Sequence, residues 1–297
     1  MGNDDGNKFD SRILSSSHLN FFFGAGVNGN AIKQMKDLNR TNAALSKKIG
    51  RDVVHFENDL GELNDEDKEE VLILFKEELG LDIKNADIEH QDIIDIVKMF
   101  GAINRLLLDS ENRTKTMKQV NIYTTNYDYV IENVLNNAGY LCNVISSSNL
   151  DSNDKFFEMI GYDYSKDVFV PTYLVNKIHG DLDNPILPSK NKYDETLQRK
   201  RFEILFRMKS QLSRKNSLLF VIGYSGNDQH LNMLINDAIG FGLTVYWFKY
   251  DNNQKLPDIL IDKINTAEQE DNDQKKNPTL KCSEMVSNLW ENLSEEL

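Results

Sequence analysis

Apolar residues in this chain fall into two patterns, short dense runs and longer stretches with helical spacing. The run Leu19 to Phe23 is short, aromatic and closed by Gly24, which predicts a buried strand. From Ala31 the pattern changes: Asn42 to Ile49, Glu66 to Leu79 and Ile88 to Leu108 repeat their apolar positions at helical intervals, with Leu72, Leu74, Phe75 and Leu79, then Ile93, Ile96, Val97, Phe100 and Ile103. A mostly helical insertion over 31–118 follows. Beyond it, strands are predicted at Val120 to Thr124, Tyr140 to Ser146, Thr172 to Ile178, Ser217 to Ile222 and Leu243 to Tyr250. Helices are predicted between them at Tyr127 to Asn137, Tyr193 to Arg214 and Gln229 to Ile239. Strands alternating with helices of this length imply right-handed crossovers and a doubly wound parallel sheet. One α/β domain over 1–297 is expected, closed by a helical extension over 252–297 in which Glu268 to Asn277 reads as a mobile loop and Lys281 to Leu297 as a helix.

Composition narrows the partners. At 297 residues, with 40% hydrophobic and 9% aromatic residues, the chain has enough apolar material for a sizeable core. Its formal net charge of -13 repels phosphate backbones. The basic run Gln198 to Lys215, with Arg199, Lys200, Arg201, Arg207, Lys209, Arg214 and Lys215, has helical spacing and reads as a solvated or partner-facing surface, so no direct nucleic-acid contact is expected. Cys142 and Cys282 are the only cysteines and form no C-x-x-C pair, which argues against a disulfide framework or a cysteine zinc site and for a reducing cytoplasm. The histidines His18, His55, His90, His179 and His230 show no close pairing, so no metal is expected. No apolar run approaches the ~20 residues of a membrane span, and Met1 to Phe9 lacks the layout of a signal peptide. Gly6 replaces the Ser or Thr that myristoylation of Gly2 would require.

In an open parallel sheet ligands bind beyond the carboxyl ends of the strands, and four such ends carry polar signatures. Gly24-Ala25-Gly26-Val27-Asn28-Gly29 satisfies G-x-G-x-x-G after a strand, a Rossmann-like feature in which glycines let backbone N–H groups approach a pyrophosphate at a helix N-terminus. The acidic residue expected about 20 positions on is poorly matched, since Asp52 falls inside the helical block. A tight turn that merely needs glycine is the alternative. Thr124-Thr125-Asn126-Tyr127-Asp128 follows the second strand, where Asn and Asp serve either a ligand or a helix cap. His179-Gly180-Asp181 places an imidazole at a strand end, suited to acid–base work. Gly223-Tyr224-Ser225-Gly226-Asn227-Asp228 is again small and hydrogen-bonding.

In that order, G-A-G, T-x-N-x-D, H-G and G-x-S resemble the sirtuin family, and more closely the bacterial sirtuin-like NAD hydrolases of anti-phage defence. The resemblance spans roughly Leu19 to Asp251, interrupted by the helical insertion. It implies a catalytic pair, with Asn126 holding the nicotinamide ribose or the attacking water and His179 acting as general base. It also implies an NAD-binding set of Gly24, Ala25, Gly26, Asn28, Thr125, Asp128, Gly223, Ser225 and Asp228. Within that set the G-A-G residues cradle phosphates, Asp128 meets the nicotinamide carboxamide, and Gly223 and Ser225 take the adenosine-side ribose or phosphate. Sirtuin deacylases carry a four-cysteine zinc ribbon, for which two cysteines are insufficient, and continue from G-A-G into a stretch ending Pro-Asp-Phe-Arg. This chain instead reads Val27-Asn28-Gly29-Asn30-Ala31-Ile32. The expected activity is therefore NAD hydrolysis to nicotinamide and ADP-ribose, depleting NAD in abortive infection. By analogy it is gated by homo-oligomerisation or by a partner such as a HerA-type ATPase or a short Argonaute. The alternatives are an NAD or ADP-ribose binding module without turnover and an NAD-dependent protein deacylase.

Overall fold

The structure, a computed structural model, describes residues 17–29, 31–54, 56–84, 89–109, 118–149, 161–186, 195–249, 253–267 and 282. Strand β1 (His18–Phe23) lies at the centre of a seven-stranded, all-parallel sheet because its two faces both carry buried rings, Phe21 and Phe23 on one and Phe22 on the other. Around it the order is β3 (Leu141–Ile145), β6 (Thr172–Lys177), β2 (Gln119–Thr124), β1, β7 (Ser217–Ile222), β8 (Thr244–Phe248) and β9 (Asn265–Ala267). Helices α1 (Asn39–Ile49), α2 (Phe56–Leu60), α3 (Asp65–Lys84) and α4 (Gln91–Asp109), with α5 (Val130–Asn137), cover the Phe21 and Phe23 face. Helices α6 (Glu195–Leu212) and α7 (Gln229–Gly240) cover the Phe22 face. This is a doubly wound, Rossmann-like α/β fold. The chain leaves β1 toward β2 and the helical block, but leaves β7 toward α7 and β8 on the other side. The two loops diverge and open a crevice where the strand order reverses.

Inside the sheet a chain of amides sets the register. Gln119 Nε2 donates to Asn121 Oδ1 at 2.8 Å, Asn121 Nδ2 to Asn20 Oδ1 at 3.0 Å, and Asn20 Nδ2 to the Leu218 carbonyl at 3.0 Å. Asn20 and Asn121 are also paired in the ladder, so a slip between β1 and β2 would separate buried polar groups as well as move the rings.

Several elements depart from the periodicity. The two-stranded hairpin of β4 (Gly161–Asp163) and β5 (Val168–Val170), and the short helix α2, are too brief to show a period. In the expected C-terminal helical extension, the described residues 261–263 form a 3₁₀ turn and β9 adds an edge strand beside β8, a three-residue Asn-Thr-Ala whose ladder bonds come only from its neighbour. The expected loop Glu268 to Asn277 lies outside the described residues, as does the helix Lys281 to Leu297 apart from the buried Cys282. Among the described residues no helix is long and apolar enough to cross a membrane.

Asn121→Ala removes the central link of the amide chain and is expected to lower the unfolding free energy by about 2 kcal/mol, through polar groups left buried beside it. Urea denaturation monitored by tryptophan fluorescence reads this, and an unchanged midpoint would show the chain to be dispensable.

Candidate active site

Strands β6, β2, β1 and β7 are consecutive in the sheet, so their carboxyl ends deliver the four polar motifs to one place. There they line a cavity of about 740 Å³, which includes all eleven residues singled out above: Gly24, Ala25, Gly26, Asn28, Thr125, Asn126, Asp128, His179, Gly223, Ser225 and Asp228. The opposite wall is apolar and comes from the helical block, through Ile32, Met35, Leu38, Phe75 and Leu79. Gly29, Lys33, Gln34, Tyr127, Tyr224, Asn227, Gln254 and Lys255 complete the lining.

The glycine turn behaves differently from its motif. Ala25–Asn28 is a single 3₁₀ turn, and the first α-helix begins only at Asn39, so no helix N-terminus stands at the turn. The reason is backbone packing. The N–H of Gly24 donates to Ile222 O at 3.0 Å and that of Gly26 to Gly223 O at 2.9 Å, which ties the end of β1 to the end of β7 and commits those donors inside the protein. A Cβ on Gly24 would lie 2.5 Å from Gly223 O and 2.6 Å from Tyr224 Cα. Gly223 itself has φ +66°, a conformation that side chains rarely adopt. Exposed Ala25 and Ser225 stand where the two strand ends open outward.

Asn126 and Asp128 share the loop between β2 and α5 but differ in how they are held. Asp128 Oδ1 accepts from Val130 N at 3.0 Å as a helix cap, and its Oδ2 accepts from Asn28 Nδ2 at 2.7 Å. Asn126 is fixed through its backbone, whose N–H donates to Thr124 Oγ1 at 3.0 Å, while both polar atoms of its buried amide lack a partner. Asn28 Oδ1 and His179 Nε2 are likewise buried and without a hydrogen bond. Leaving such groups unpaired costs about 1–3 kcal/mol each, so their convergence on one cavity points to a polar ligand.

His179 follows β6 in a turn closed by Gly180 (φ +74°), its carbonyl accepting from Ile186 N at 2.7 Å. Its Nε2 lies 3.5 Å from Asp228 Oδ2, which Arg201 Nη2 approaches to 3.0 Å. Burial opposes the charge on Asp228, yet His179, Arg201 and the Leu231 N–H outweigh it and hold the carboxyl down to about 2.

A SIR2-like domain model matches residues 120–275, just over half of the chain. The chain belongs to the SIR2-like family. No curated protein sequence matches it. Among solved structures, a Sir2 homologue in complex with NAD superposes with TM-score 0.50 at 15% identity over 97% of this chain and 96% of that one. A Sir2 homologue mutant in complex with ADP-ribose gives TM-score 0.50 at 15% identity over the whole of both chains. At such identity the likeness is one of fold.

Several residues of this SIR2-like site escaped the motifs. Arg201 sat in the basic run, read as a solvated or partner-facing surface. There Arg201 pairs with Asp228, Arg207 with Glu203 at 2.8 Å and Lys209 with Asp237 at 2.8 Å, so much of its charge is matched within the chain. Lys177 is fully buried at the end of β6, donates to the Asp128 carbonyl, pairs with Glu132 Oε1 at 2.8 Å and lies 5.0 Å from the Tyr129 ring centre. A lysine in an otherwise uncharged strand was the available signal. Burial pushes the Glu132 carboxyl above its ordinary range against the pull of Lys177. Among the described residues, no three His, Cys, Asp or Glu side chains are grouped to hold a metal ion.

Lys177→Met strands the Glu132 carboxylate under the site and is expected to cost about 3–5 kcal/mol, most of which Lys177→Met with Glu132→Leu regains. Thermal and chemical unfolding of the single and double variants decide it, and a double variant no more stable than the single would sink this account.

Proposed function

We propose that this SIR2-like chain is an NAD glycohydrolase that cleaves NAD to nicotinamide and ADP-ribose, with Asn126 and His179 at the reacting centre. The observation that carries the reading is the convergence on one cavity large enough for a dinucleotide of three buried groups that make no hydrogen bond, the Asn126 amide, Asn28 Oδ1 and His179 Nε2, the last with only Asp228 Oδ2 in ion-pair range at 3.5 Å. Asn126 orients a water below the ribose. His179 accepts the proton as the water oxygen bonds to the ribose carbon and the bond to nicotinamide breaks, a role typically worth ~10²–10⁴ in rate. Because the leaving nicotinamide departs neutral from a cationic ring, no acid is required on its side. Asp128, braced by Asn28 and by Lys177 through its carbonyl, meets the carboxamide. Ala25, Ser225 and Lys255 line the same cavity and take the phosphates and the adenosine-side ribose in this reading, in a crevice bounded by the Gly24, Gly26 and Gly223 backbones. Water is favoured as acceptor over an acyl-lysine because the chain has two cysteines, not the four of a zinc ribbon.

NAD depletion that is always on would be toxic, and the resemblance to anti-phage NAD hydrolases supports a gate worked by self-assembly or by a HerA-type ATPase or short Argonaute. Helix α3 supplies the means. It contributes Phe75 and Leu79 to the cavity wall, and Lys76 Nζ donates to Asp183 O at 2.7 Å in the loop that carries His179, so a shift of the helical block moves wall and base together.

Asn126→Ala and His179→Ala are each expected to abolish nicotinamide release, followed by chromatography after incubation with NAD, while leaving the circular dichroism spectrum unchanged. Saturable NAD binding without nicotinamide release in every assembly tested would replace hydrolysis with a binding role. For the gate, turnover per chain is expected to rise with protein concentration or added partner and to fall with salt. Full turnover by a dilute monomer under all conditions would leave the helical block as scaffold.

A further inference from the structure

Asp228 lines the cavity, yet the protein occupies its carboxylate from several sides. Its Oδ1 caps α7, accepting from His230 N at 2.9 Å and Leu231 N at 3.2 Å. Its Oδ2 meets Arg201 Nη2 at 3.0 Å and faces His179 Nε2 at 3.5 Å. The Asp228 backbone is held as well, its N–H donating to the Tyr224 hydroxyl at 3.2 Å. A carboxylate fastened by a helix terminus, a guanidinium and a neighbouring ring cannot turn outward to grip a sugar hydroxyl without releasing them.

We infer that Asp228 is a positioning residue for His179, held in place by Arg201, and that it does not hold substrate. The inference rests on the reading of the cavity as an NAD-cleaving site. His179 comes from the end of β6, Asp228 from the start of α7 and Arg201 from α6, so three separate elements converge on one ion cluster beside the catalytic imidazole. At 3.5 Å the imidazole and the carboxylate are within ion-pair range, and a small ring rotation brings them to hydrogen-bonding distance. The Asp228 carboxylate, itself held by Arg201, fixes the orientation of the ring.

The other ionisable groups around His179 have their own partners. Asp181 accepts from Ser148 Oγ and Asn184 N, Lys177 is bound to Glu132, and Asp128 to Asn28. The Tyr127 ring lies 6.4 Å from the imidazole, and burial raises the Tyr224 phenol well above its ordinary range, so the Tyr224 phenol is neutral at working pH. Asp228 stays ionised throughout. Because its folded-state value is depressed, the stability it contributes is present above the ordinary carboxylate range and is lost only as pH falls toward about 2.

The test compares wild type, Asp228→Asn, Asp228→Ser and Arg201→Gln in two measurements, the NMR titration of the His179 imidazole and the steady-state kinetics of nicotinamide release from NAD. Asn and Ser both keep a good helix cap, so the fold is retained when the charge is removed. Both Asp228 variants are expected to lower the His179 midpoint by about half to one pH unit, and Arg201→Gln to raise it, because each deletes a charge of opposite sign. The acid limb of kcat/KM moves with the midpoint. In the Asp228 variants kcat is expected to fall at least ~10-fold with KM for NAD within about twofold, as for a base that has lost its orientation. A raised KM with kcat retained would make Asp228 a substrate ligand, and shifts of the same sign in the Asp228 and Arg201 variants would reduce the cluster to a structural one. Either outcome overturns the inference. Absence of NAD cleavage by the wild type in every assembly would defeat the functional reading, while the His179 titrations would still decide whether Asp228 and Arg201 act on the imidazole.

Discussion

Everything in the site depends on how closely the ends of β1 and β7 approach each other. The Gly24 and Gly26 N–H groups bond to carbonyls at the end of β7, and a side chain at Gly24 would collide with the Gly223 backbone. That contact bends the chain into a 3₁₀ turn, sends it across to the helical block and leaves the two loops diverging over the crevice. The glycines are thus a condition of backbone packing first and of ligand access second. A larger residue would separate the two central strands, between which Phe21 packs against both Phe23 and Phe220.

On this frame the protein holds its polar groups in two distinct ways. Those that shape the site are saturated: Lys177 by Glu132 and the Asp128 carbonyl, Asp228 by Arg201 and the cap of α7, and the amides of Asn20 and Asn121 by each other. Those that face the crevice, the Asn126 amide, Asn28 Oδ1 and His179 Nε2, are buried without a hydrogen bond, His179 Nε2 standing 3.5 Å from Asp228 Oδ2. Rigid saturation behind and open valence in front is the arrangement that preorganisation requires, since side chains already locked need no reordering when a ligand arrives.

The helical block adds the facing wall. Its apolar wall faces the polar strand ends across the cavity, and Lys76 ties it to the loop of His179. Leu182 of that loop also lies against α3, 3.5 Å from where a Cβ on Gly80 would sit. Two links from one helix to the loop of His179 couple the position of the wall to that of the imidazole, so whatever displaces the block changes the shape of the cavity and the placement of that ring together.

Much of this was legible in the order of residues. The strand runs are apolar enough that they could only be buried, and in a parallel sheet their carboxyl ends had to share one edge. Gly24 to Gly29, Asn126, Asp128, His179 and Gly223 to Asp228 were therefore readable as neighbours at that edge, where they border one cavity. Periodicity also located the helical block, because apolar spacing is a local property. The sequence by itself could not determine pairings between distant segments. Arg201 stands in a basic run whose charges look alike, and only the crossing of α6 over the start of α7 brings this one to Asp228. Lys177 interrupts an uncharged strand, but which acid neutralises it depended on α5 packing back onto β6. The strand β9 and the 3₁₀ form of the glycine turn arise from hydrogen bonds donated or accepted across the sheet, and no local pattern encodes those. Hydrophobic periodicity is local and could be read along the chain. Charge pairing and backbone fit are long-range, and the tertiary structure alone decided them.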